Sequence, residues 1–244
     1  MERDIQDGGC QVTTLKLLHN NVCADRYDYN RTWPKRRPNF VDAVKRHDPQ
    51  IVTLTECQQP SAAKLAPMVG MRYVSFGGST ILTDPDVLRY NRVLDERYWL
   101  NSNQSQSLLA AEFEVIKTGQ TFNVMVSHLP PFAWRANLRK QQQAKINAIA
   151  KPWRDKTILA TDANWTKTYE SSQRAVWSSA RLTATKRAHA TYRTSGKYAP
   201  GNPIDYVLGQ NGTIFESYDV INGSSWSDHH GLLVTARISG ILEP

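Results

Sequence analysis

Ile204-Asp205-Tyr206-Val207-Leu208 and, further along the chain, Ser227-Asp228-His229 are the stretches that decide the fold. Each places an acid or an imidazole beside an apolar run with the composition of a β-strand. In layered proteins built on β-sheets, the groups that do chemistry stand at such strand ends. With Asp162 and Asn164 upstream, the two stretches predict a carboxylate-rich pocket suited to a divalent metal and to cleavage of a phosphate ester.

The charge of the 244-residue chain points to a polyanionic partner. Its net charge is +8 and its isoelectric point is near 9.4, values that favour DNA, RNA or an acidic membrane surface. The basic residues are partly clustered, in Lys35-Arg36-Arg37, in Arg135 with Arg139 and Lys140, and in Lys186-Arg187. The alternative is that each cluster is only a solvated face of the fold.

The sequence predicts one domain in a reducing compartment. Residues 1–13 are polar and are expected to be loose, and residues 14–244 contain no linker-like segment that would divide them. The three cysteines, Cys10, Cys23 and Cys57, lack the spacing of a metal site or a disulfide framework. No apolar run is long enough to cross a bilayer, and no hydrophobic segment follows Met1 as a secretory signal would. We expect a cytoplasmic protein that acts as a monomer.

Short apolar segments bounded by turn residues predict a strand-rich fold. We expect strands at 15–22, 51–55, 72–76, 80–83, 97–100, 108–116, 122–127, 157–161, 191–193, 204–208, 213–220 and 231–238. Helices are expected around 40–44, at 171–180, and at 134–149 with Trp134, Leu138, Ile146 and Ile149 on one side. The pattern predicts an α/β (α+β) protein in which two sheets pack face to face with helices on the outside.

Six of the expected strands end in polar or acidic groups. The residues are Asn21, Glu56, His128, Asp162 with Asn164, Asp205, and Asp228 with His229. Asp and Asn are common turn residues after strands, so each position alone has a structural explanation. A preference for turn residues does not readily explain polar groups at the ends of six strands. The repeated pattern therefore favours one site shared by these residues. The other histidines lack metal-ligand spacing and are expected to be core or surface residues: His19, His47, His189 and His230.

The ordered set of strand-end motifs resembles the endonuclease/exonuclease/phosphatase superfamily. That group includes DNase I, the apurinic endonucleases, neutral sphingomyelinases and inositol polyphosphate 5-phosphatases. The motifs are Asn21-Val22, Leu54-Thr55-Glu56, Ser127-His128-Leu129, Thr161-Asp162-Ala163-Asn164, Ile204-Asp205-Tyr206 and Ser227-Asp228-His229. The resemblance covers residues 15–237, and it implies a DNase I-like four-layer sandwich of two mixed β-sheets flanked by helices.

The resemblance implies a role for each motif residue. Glu56 would be the main ligand of Mg²⁺ or Mn²⁺, assisted by Asn21 and Asp228. The catalytic residues would be His128, Asp162, Asn164, Asp205 and His229. Asp162 would orient or deprotonate the attacking water, Asn164 would bind the phosphate, and Asp205 would fix the His229 imidazole. Whether Asp162 or His229 accepts the proton of the water stays open at this stage.

Substrate contacts are expected from Asn164, Trp165 and Arg36, although packing is an equal alternative for Trp165. The family that the chain resembles usually has glycine where Thr161 stands, and a threonine there would narrow the pocket or shift the turn. His128 is shared with the DNase I and sphingomyelinase branches, whereas the apurinic endonucleases use tyrosine in that region.

The predicted function is Mg²⁺-dependent hydrolysis of phosphodiester bonds in nucleic acid. One alternative is a phosphodiesterase or phosphatase for a phospholipid head group or a small phosphorylated molecule. The other is a catalytically silent, basic protein that binds nucleic acid on the same fold.

Overall fold

Two six-stranded β-sheets form the centre of the molecule. The structure is a computed structural model that describes residues 12–24, 32–104, 106–153, 156–165, 173, 177, 179–180, 204–210 and 213–239. The strands are β1 (Val12–Asn21), β2 (Ile51–Thr55), β3 (Arg72–Phe76), β4 (Ser79–Thr83), β5 (Leu88–Trp99), β6 (Ser107–Val115), β7 (Thr121–His128), β8 (Thr157–Asp162), β9 (Ser179–Ala180), β10 (Asp205–Gly209), β11 (Thr213–Ile221) and β12 (Gly231–Ser239). The first sheet has the order β11-β12-β1-β2-β4-β3, and the second has the order β5-β6-β7-β8-β10-β9.

Helices cover the outer face of each sheet. Helices α1 (Trp33–His47) and α2 (Gln59–Leu65) pack on the first sheet, and α3 (Ala136–Ala150) packs on the second. Short 3₁₀ turns lie at Ala66–Val69, Ala133–Arg135 and Lys151–Trp153. The layers therefore run helix, sheet, sheet, helix, and the predicted fold class is confirmed. In the part of the chain that the structure describes, no helix is both long and apolar enough to cross a membrane.

Alternation along the strands decides which side chains lie between the sheets. In β7 and β8, for example, Val124, Val126, Ile158 and Ala160 belong to the central core, whereas Met125 and Leu159 belong to the cluster under α3. The same alternation continues to the last residue of each strand. His128 and Asp162 therefore stand at the end of the inter-sheet face.

Parallel pairing brings the polar strand ends together. Strands β1 and β2 are parallel, with Asn21 opposite Thr55, and β7 and β8 are parallel, with His128 opposite Asp162. Strand β10 runs antiparallel to β8, so its first residue, Asp205, lies opposite Asp162. Carboxyl ends of parallel strands share one edge of a sheet. The sequence motifs therefore converge at one end of the sandwich.

The helix expected at 134–149 has a different buried face. Trp134 lies in the preceding 3₁₀ turn and is 75% exposed, and α3 begins at Ala136. The helix buries mostly polar side chains, namely Arg139, Gln142, Gln143, Ile146 and Ala150. The apolar stripe read from the sequence was wrong in this respect: Trp134 is exposed, and polar side chains such as Arg139 and Gln143 are buried with hydrogen-bond partners. Arg139, for instance, donates to the carbonyl of Pro130 at 3.0 Å.

Other element boundaries also differ from the prediction. Residues 12 and 13 belong to β1 rather than to a loose segment, and residues 1–11 lie outside the described part. The first helix begins at Trp33, since Pro34 suits a first helical turn, where no N–H partner is needed. Residues 179–180 form β9 instead of a helix end, and the strand expected at 191–193 lies outside the described residues.

Candidate metal and phosphate site

Sharp turns follow three of the strands that build the site. Cys23, Glu56 and Asn164 adopt positive φ angles of 48°, 52° and 47°, one or two residues after the ends of β1, β2 and β8. Side chains anchor two of these turns, since Asn21 Oδ1 accepts from Cys23 N at 3.0 Å and Asp162 Oδ1 accepts from Asn164 N at 3.0 Å. The left-handed region is uncommon for residues other than glycine, and such strained residues concentrate at functional sites. The turns therefore mark this edge as a candidate site.

One half of the site is acidic. The amide nitrogen of Asn21 donates to Oε1 of Glu56 at 3.1 Å and to Oδ2 of Asp162 at 3.0 Å. Asp162 is buried, whereas Glu56 is half-buried and open to a ligand. Carboxylate and amide oxygens are the hard ligands that Mg²⁺ and Mn²⁺ prefer. The carboxylate oxygens of Glu56 and Asp162 therefore fit a divalent cation. Asn21 does not match the expected ligand role, because its amide nitrogen faces these carboxylates and its amide oxygen accepts from Cys23 N.

The other half of the site is a histidine–aspartate pair. Nδ1 of His229 donates to Oδ2 of Asp205 at 2.8 Å, and Nε2 of His229 lies 3.8 Å from Oδ2 of Asp162. Burial lowers the pKa of His229, but the charges of Asp205, Asp162 and Asp228 and the Asp205 hydrogen bond outweigh it and raise this pKa to about 10. His229 is therefore an imidazolium at neutral pH, with both ring nitrogens as donors.

Asp162 is the point where the two halves meet. Burial raises the pKa of its carboxyl, and repulsion by Asp205 raises it further, while His128, His229 and the Asn21 hydrogen bond lower it. Its Oδ2 lies 3.5 Å from Nε2 of His128. The raised pKa makes Asp162 a better proton acceptor than an ordinary aspartate.

His128 and Asn164 extend the site beyond Asp162. Nδ2 of Asn164 lies 3.1 Å from Nε2 of His128 and donates to the carbonyl of Leu129 at 2.9 Å. Both side chains are partly exposed. They can therefore reach a ligand that approaches the buried Asp162 from solvent.

A buried group of three residues offers a second arrangement of metal ligands. Donor atoms of Asp162, Asp205 and His229 all lie within 4.8 Å of one another. The bond between His229 and Asp205 already uses one nitrogen of that imidazole, and protonation removes the lone pair a metal would need. The half-exposed Glu56 is the better candidate for the main metal ligand.

Asp228 lies at the margin of the acidic half. It is partly exposed, and its Oδ1 lies 3.2 Å from the hydroxyl oxygen of Ser227, which also lies 2.5 Å from the carbonyl oxygen of Asn21. The charge of Asp228 acts on the pKa of His229. Its role as a metal ligand stays a prediction.

Arg36 is buried inside the fold, contrary to the expected contact with substrate. Its guanidinium donates to the carbonyls of Val22 at 3.1 Å, Cys23 at 2.7 Å and Trp226. Burial lowers the pKa of this guanidinium, while nearby Asp228 raises it. The prediction overlooked that three carbonyls in the turns around the site need a donor. Arg36 ties these turns together and does not face solvent.

Trp165 and Thr161 both make contacts inside the fold, and substrate contact by Trp165 stays a prediction. Trp165 is partly buried against the cluster under α3, and its carbonyl accepts the Tyr206 hydroxyl at 2.8 Å. The hydroxyl of Thr161 accepts a hydrogen bond from Ser127 at 2.8 Å. Thr161 therefore points to the opposite face of β8 from Asp162.

His19 is a site neighbour that the sequence analysis assigned to the core or surface. It is fully buried, with Nδ1 3.1 Å from the Thr53 hydroxyl oxygen and Nε2 3.9 Å from Oδ1 of Asp205. Burial lowers the pKa of His19 to about 4, so it is neutral at neutral pH. Its alternation with Leu17 and Asn21 along β1 is the signal that could have placed it between the sheets.

Comparison with known proteins finds similarity to solved structures but no match by sequence. No protein-family model matches the chain, and no curated protein matches its sequence. An endonuclease/exonuclease/phosphatase family protein from Bacteroides thetaiotaomicron is 17% identical, with a TM-score of 0.74, over 93% of this chain and 99% of that one.

Two further solved structures are similar to the same extent. D. rerio TDP2, complexed with single strand DNA product, is 17% identical with a TM-score of 0.75, over 92% of this chain and 99% of that one. The Bacteroides thetaiotaomicron VPI-5482 mannosyl-6-phosphatase Bt3783 is 18% identical with a TM-score of 0.70, over 91% and 99%. The chain therefore has the fold of the endonuclease/exonuclease/phosphatase proteins.

Proposed function

We propose that this protein is a divalent-metal-dependent hydrolase of phosphodiester bonds in nucleic acid. The observation that carries the proposal is the double hydrogen bond of Asn21 to Glu56 and Asp162, set against the imidazolium of His229. A cation-binding half and a positively charged half flank the same buried carboxylate. A phosphate group is negatively charged and has several oxygens, so it can bind a cation on one side and the imidazolium on the other.

Glu56 would hold Mg²⁺ or Mn²⁺, with Asp228 as a further ligand, and Asn21 would orient the Glu56 and Asp162 carboxylates through its amide nitrogen. When bound there, the cation supplies charge stabilisation to the phosphate oxygens and to the leaving group. Side chains of the protein would position the water, accept its proton and bind the phosphate. No covalent protein intermediate is needed, because the nucleophile is water attacking in line with the leaving oxygen.

Asp162 is the proposed acceptor of the proton from the attacking water. The raised pKa of His229 supports this choice, because the charges of Asp205, Asp162 and Asp228 favour the protonated ring, which cannot accept a further proton. Its Nε2–H instead donates to the phosphoryl oxygens, while Asp205 holds the ring through Nδ1. Asn164 and His128 donate to the same phosphate from the exposed side.

The choice of nucleic acid as substrate is supported by charge and by one structural neighbour. The chain carries a net charge of +8, which favours a polyanion. D. rerio TDP2, which shares the fold, was solved with a single strand DNA product. The predicted cytoplasmic location and monomeric state are retained as part of the proposal.

A small phosphorylated molecule is the second candidate substrate. The mannosyl-6-phosphatase with the same fold favours it. Activity that survives high salt would also favour it, because binding of a polyanion weakens steeply as salt rises.

A substrate panel tests the proposal. Purified protein is incubated with plasmid DNA, single-stranded DNA, RNA, a phospholipid head-group diester and a sugar phosphate, each with Mg²⁺, Mn²⁺ or EDTA. We expect cleavage of nucleic acid that requires the cation. Glu56→Gln and Asp162→Asn should abolish it, while Lys45→Ala, on the exposed face of α1, serves as the matched control. Undiminished cleavage in EDTA would refute the metal, and turnover of the sugar phosphate alone would refute the substrate.

A further inference from the structure

Two exposed aromatic rings and a cation lie on the segment that follows β7. Phe132 is 62% exposed and Trp134 is 75% exposed, the largest exposures among the large apolar side chains that the structure describes. Their ring planes are parallel within 2°, with centroids 6.1 Å apart. The Arg135 guanidinium lies 4.4 Å from the centre of the Trp134 ring and 6.0 Å from that of Phe132. Contiguous exposed aromatic surface of this kind marks a binding site.

The fold holds the two rings outward at a cost in backbone strain. Phe132 has a φ of 76°, a region that bulky residues rarely occupy. The buried Arg139 donates from Nη1 to the carbonyls of Pro130 at 3.0 Å and Phe132 at 2.6 Å. This clamp fixes the backbone on both sides of Pro131. The rings are therefore presented in a fixed arrangement, which lowers the entropy cost of binding.

The same segment begins at the candidate site. Leu129 N donates to the carbonyl of Asp162 at 2.8 Å, and the Leu129 carbonyl accepts from Asn164. The four steps of the chain from His128 to Phe132 span at most about 14 Å, even if fully extended. At about 3.4 Å per nucleotide of stacked strand, this is the length of about four nucleotides.

We propose that Phe132, Trp134 and Arg135 form a base-stacking subsite for single-stranded nucleic acid. The inference rests on the proposed function, and it specifies the substrate as a strand with unpaired bases. Parallel aromatic rings stack on any base, because every base has a flat π-face, and Arg135 adds positive charge for the adjoining phosphate. Paired bases inside a duplex do not offer their faces. The stacked bases would lie within a few nucleotides of the phosphate beside His128.

Equilibrium binding without turnover tests the subsite. Fluorescence anisotropy in EDTA measures the affinity of the full chain for a labelled oligothymidylate and for an abasic oligonucleotide of equal length. The abasic strand keeps every phosphate and removes every base. The variants are Phe132→Leu, Trp134→Leu and Trp134→Tyr, with Tyr73→Leu as the matched control, because Tyr73 is an exposed aromatic residue of β3.

We expect each leucine variant to bind oligothymidylate roughly 10- to 100-fold more weakly, as loss of stacking on one base predicts. Trp134→Tyr should stay within about threefold of the original protein, since a tyrosine ring also stacks on a base. All variants should bind the abasic strand as the original protein does. Leucine variants that bind oligothymidylate normally, or that lose both strands equally, would refute the subsite.

Hydrolysis separates this inference from the proposed function. Cleavage of single-stranded DNA with Mg²⁺, together with normal binding by the leucine variants, would refute the subsite and leave the function intact. Ring-dependent binding with no cleavage of any nucleic acid would support the subsite and refute the function. Circular dichroism confirms that each variant is folded before it is assayed.

Discussion

Nδ1 of His229 lies 2.8 Å from Oδ2 of Asp205, and this bond joins the first sheet to the second as well as one side chain to another. Asp205 begins β10 in one sheet, and His229 precedes β12 in the other. Asp205 therefore raises the pKa of His229 and also fixes the position of its imidazole ring. Substitutions of Asp205 should change both properties.

Asp205→Asn should keep the hydrogen bond but remove the charge that raises the pKa of His229. We expect the pKa of His229 to fall and the rate of phosphodiester hydrolysis at neutral pH to drop by about 10²-fold or more, the scale of a lost transition-state donor. NMR titration of the imidazole and kcat measurements check the two effects. An unchanged pKa would contradict the electrostatic role of Asp205.

The stability of the metal-free protein should fall at alkaline pH because of His229. Its pKa in the folded protein is about 10, above the ordinary value of 6.5. The folded state then holds the proton more tightly, so this stabilisation is complete below pH 6.5 and is lost as pH rises toward 10. We expect thermal unfolding in EDTA to shift down across this window, with a flatter profile for His229→Gln. Equal slopes for the two proteins would argue against the assignment.

His19 should act in the opposite direction. Its pKa of about 4 lies below the ordinary value of 6.5, so the unfolded chain binds the proton more readily. The stability that depends on the neutral ring is complete above pH 6.5 and is lost as pH falls toward 4. Chemical denaturation of His19→Gln should show a weaker acid dependence over this range than the original protein. His47→Gln, at a partly exposed position of α1, is the control.

Arg36 should prove structural rather than substrate-binding. Arg36→Ala leaves three buried carbonyls without their donor, which should lower the free energy of unfolding by about 3 kcal/mol or more. Lys35→Ala, at an exposed position of the same helix, should change stability by less than about 0.5 kcal/mol. Urea denaturation measures both. A stable Arg36→Ala protein with weakened nucleic-acid binding would reverse the assignment.

Cation binding should be visible without any substrate. Mg²⁺ or Mn²⁺ that binds only the folded state should raise the unfolding temperature as its concentration increases. Glu56→Gln should lose most of this shift. Glu114→Gln, at a half-buried position of β6 where the carboxylate pairs with Arg89, should retain it. Differential scanning calorimetry gives the shifts. A full shift in Glu56→Gln would exclude Glu56 as the main ligand.

The strand-end motifs were a sound guide to the fold and to the arrangement of the site. Alternation and strand direction are local properties, so sequence patterns could bring Asn21, His128 and Asp162 to one edge. The burial of Arg36 depends on carbonyls from residue 22 to residue 226, and no local pattern reveals such partners. Trp134 shows the same limit, because its exposure follows from the Arg139 clamp and not from the helical period of its own segment.

The basic clusters are a second case in which the structure differs from the sequence-based prediction, because they expose less positive charge than expected. Arg36 and Arg139 were both counted as surface charge, yet each is buried and bonded to carbonyls. Charge counts come from composition, whereas the direction of a long side chain comes from packing. The charge that a polyanion meets is therefore smaller near these clusters than the net +8 suggests.

The amide of Asn21 reaches Asp162 across 141 positions of sequence and from one sheet to the other. Neither sheet alone carries both halves of the site, so the site exists only after the two sheets have docked. A bound phosphate, contacted by His229 from the first sheet and by His128 and Asn164 from the second, should therefore slow their separation, and phosphate binding becomes a direct readout of the docked state. A chain whose two sheets have formed but have not yet packed together should be unable to bind phosphate in this way.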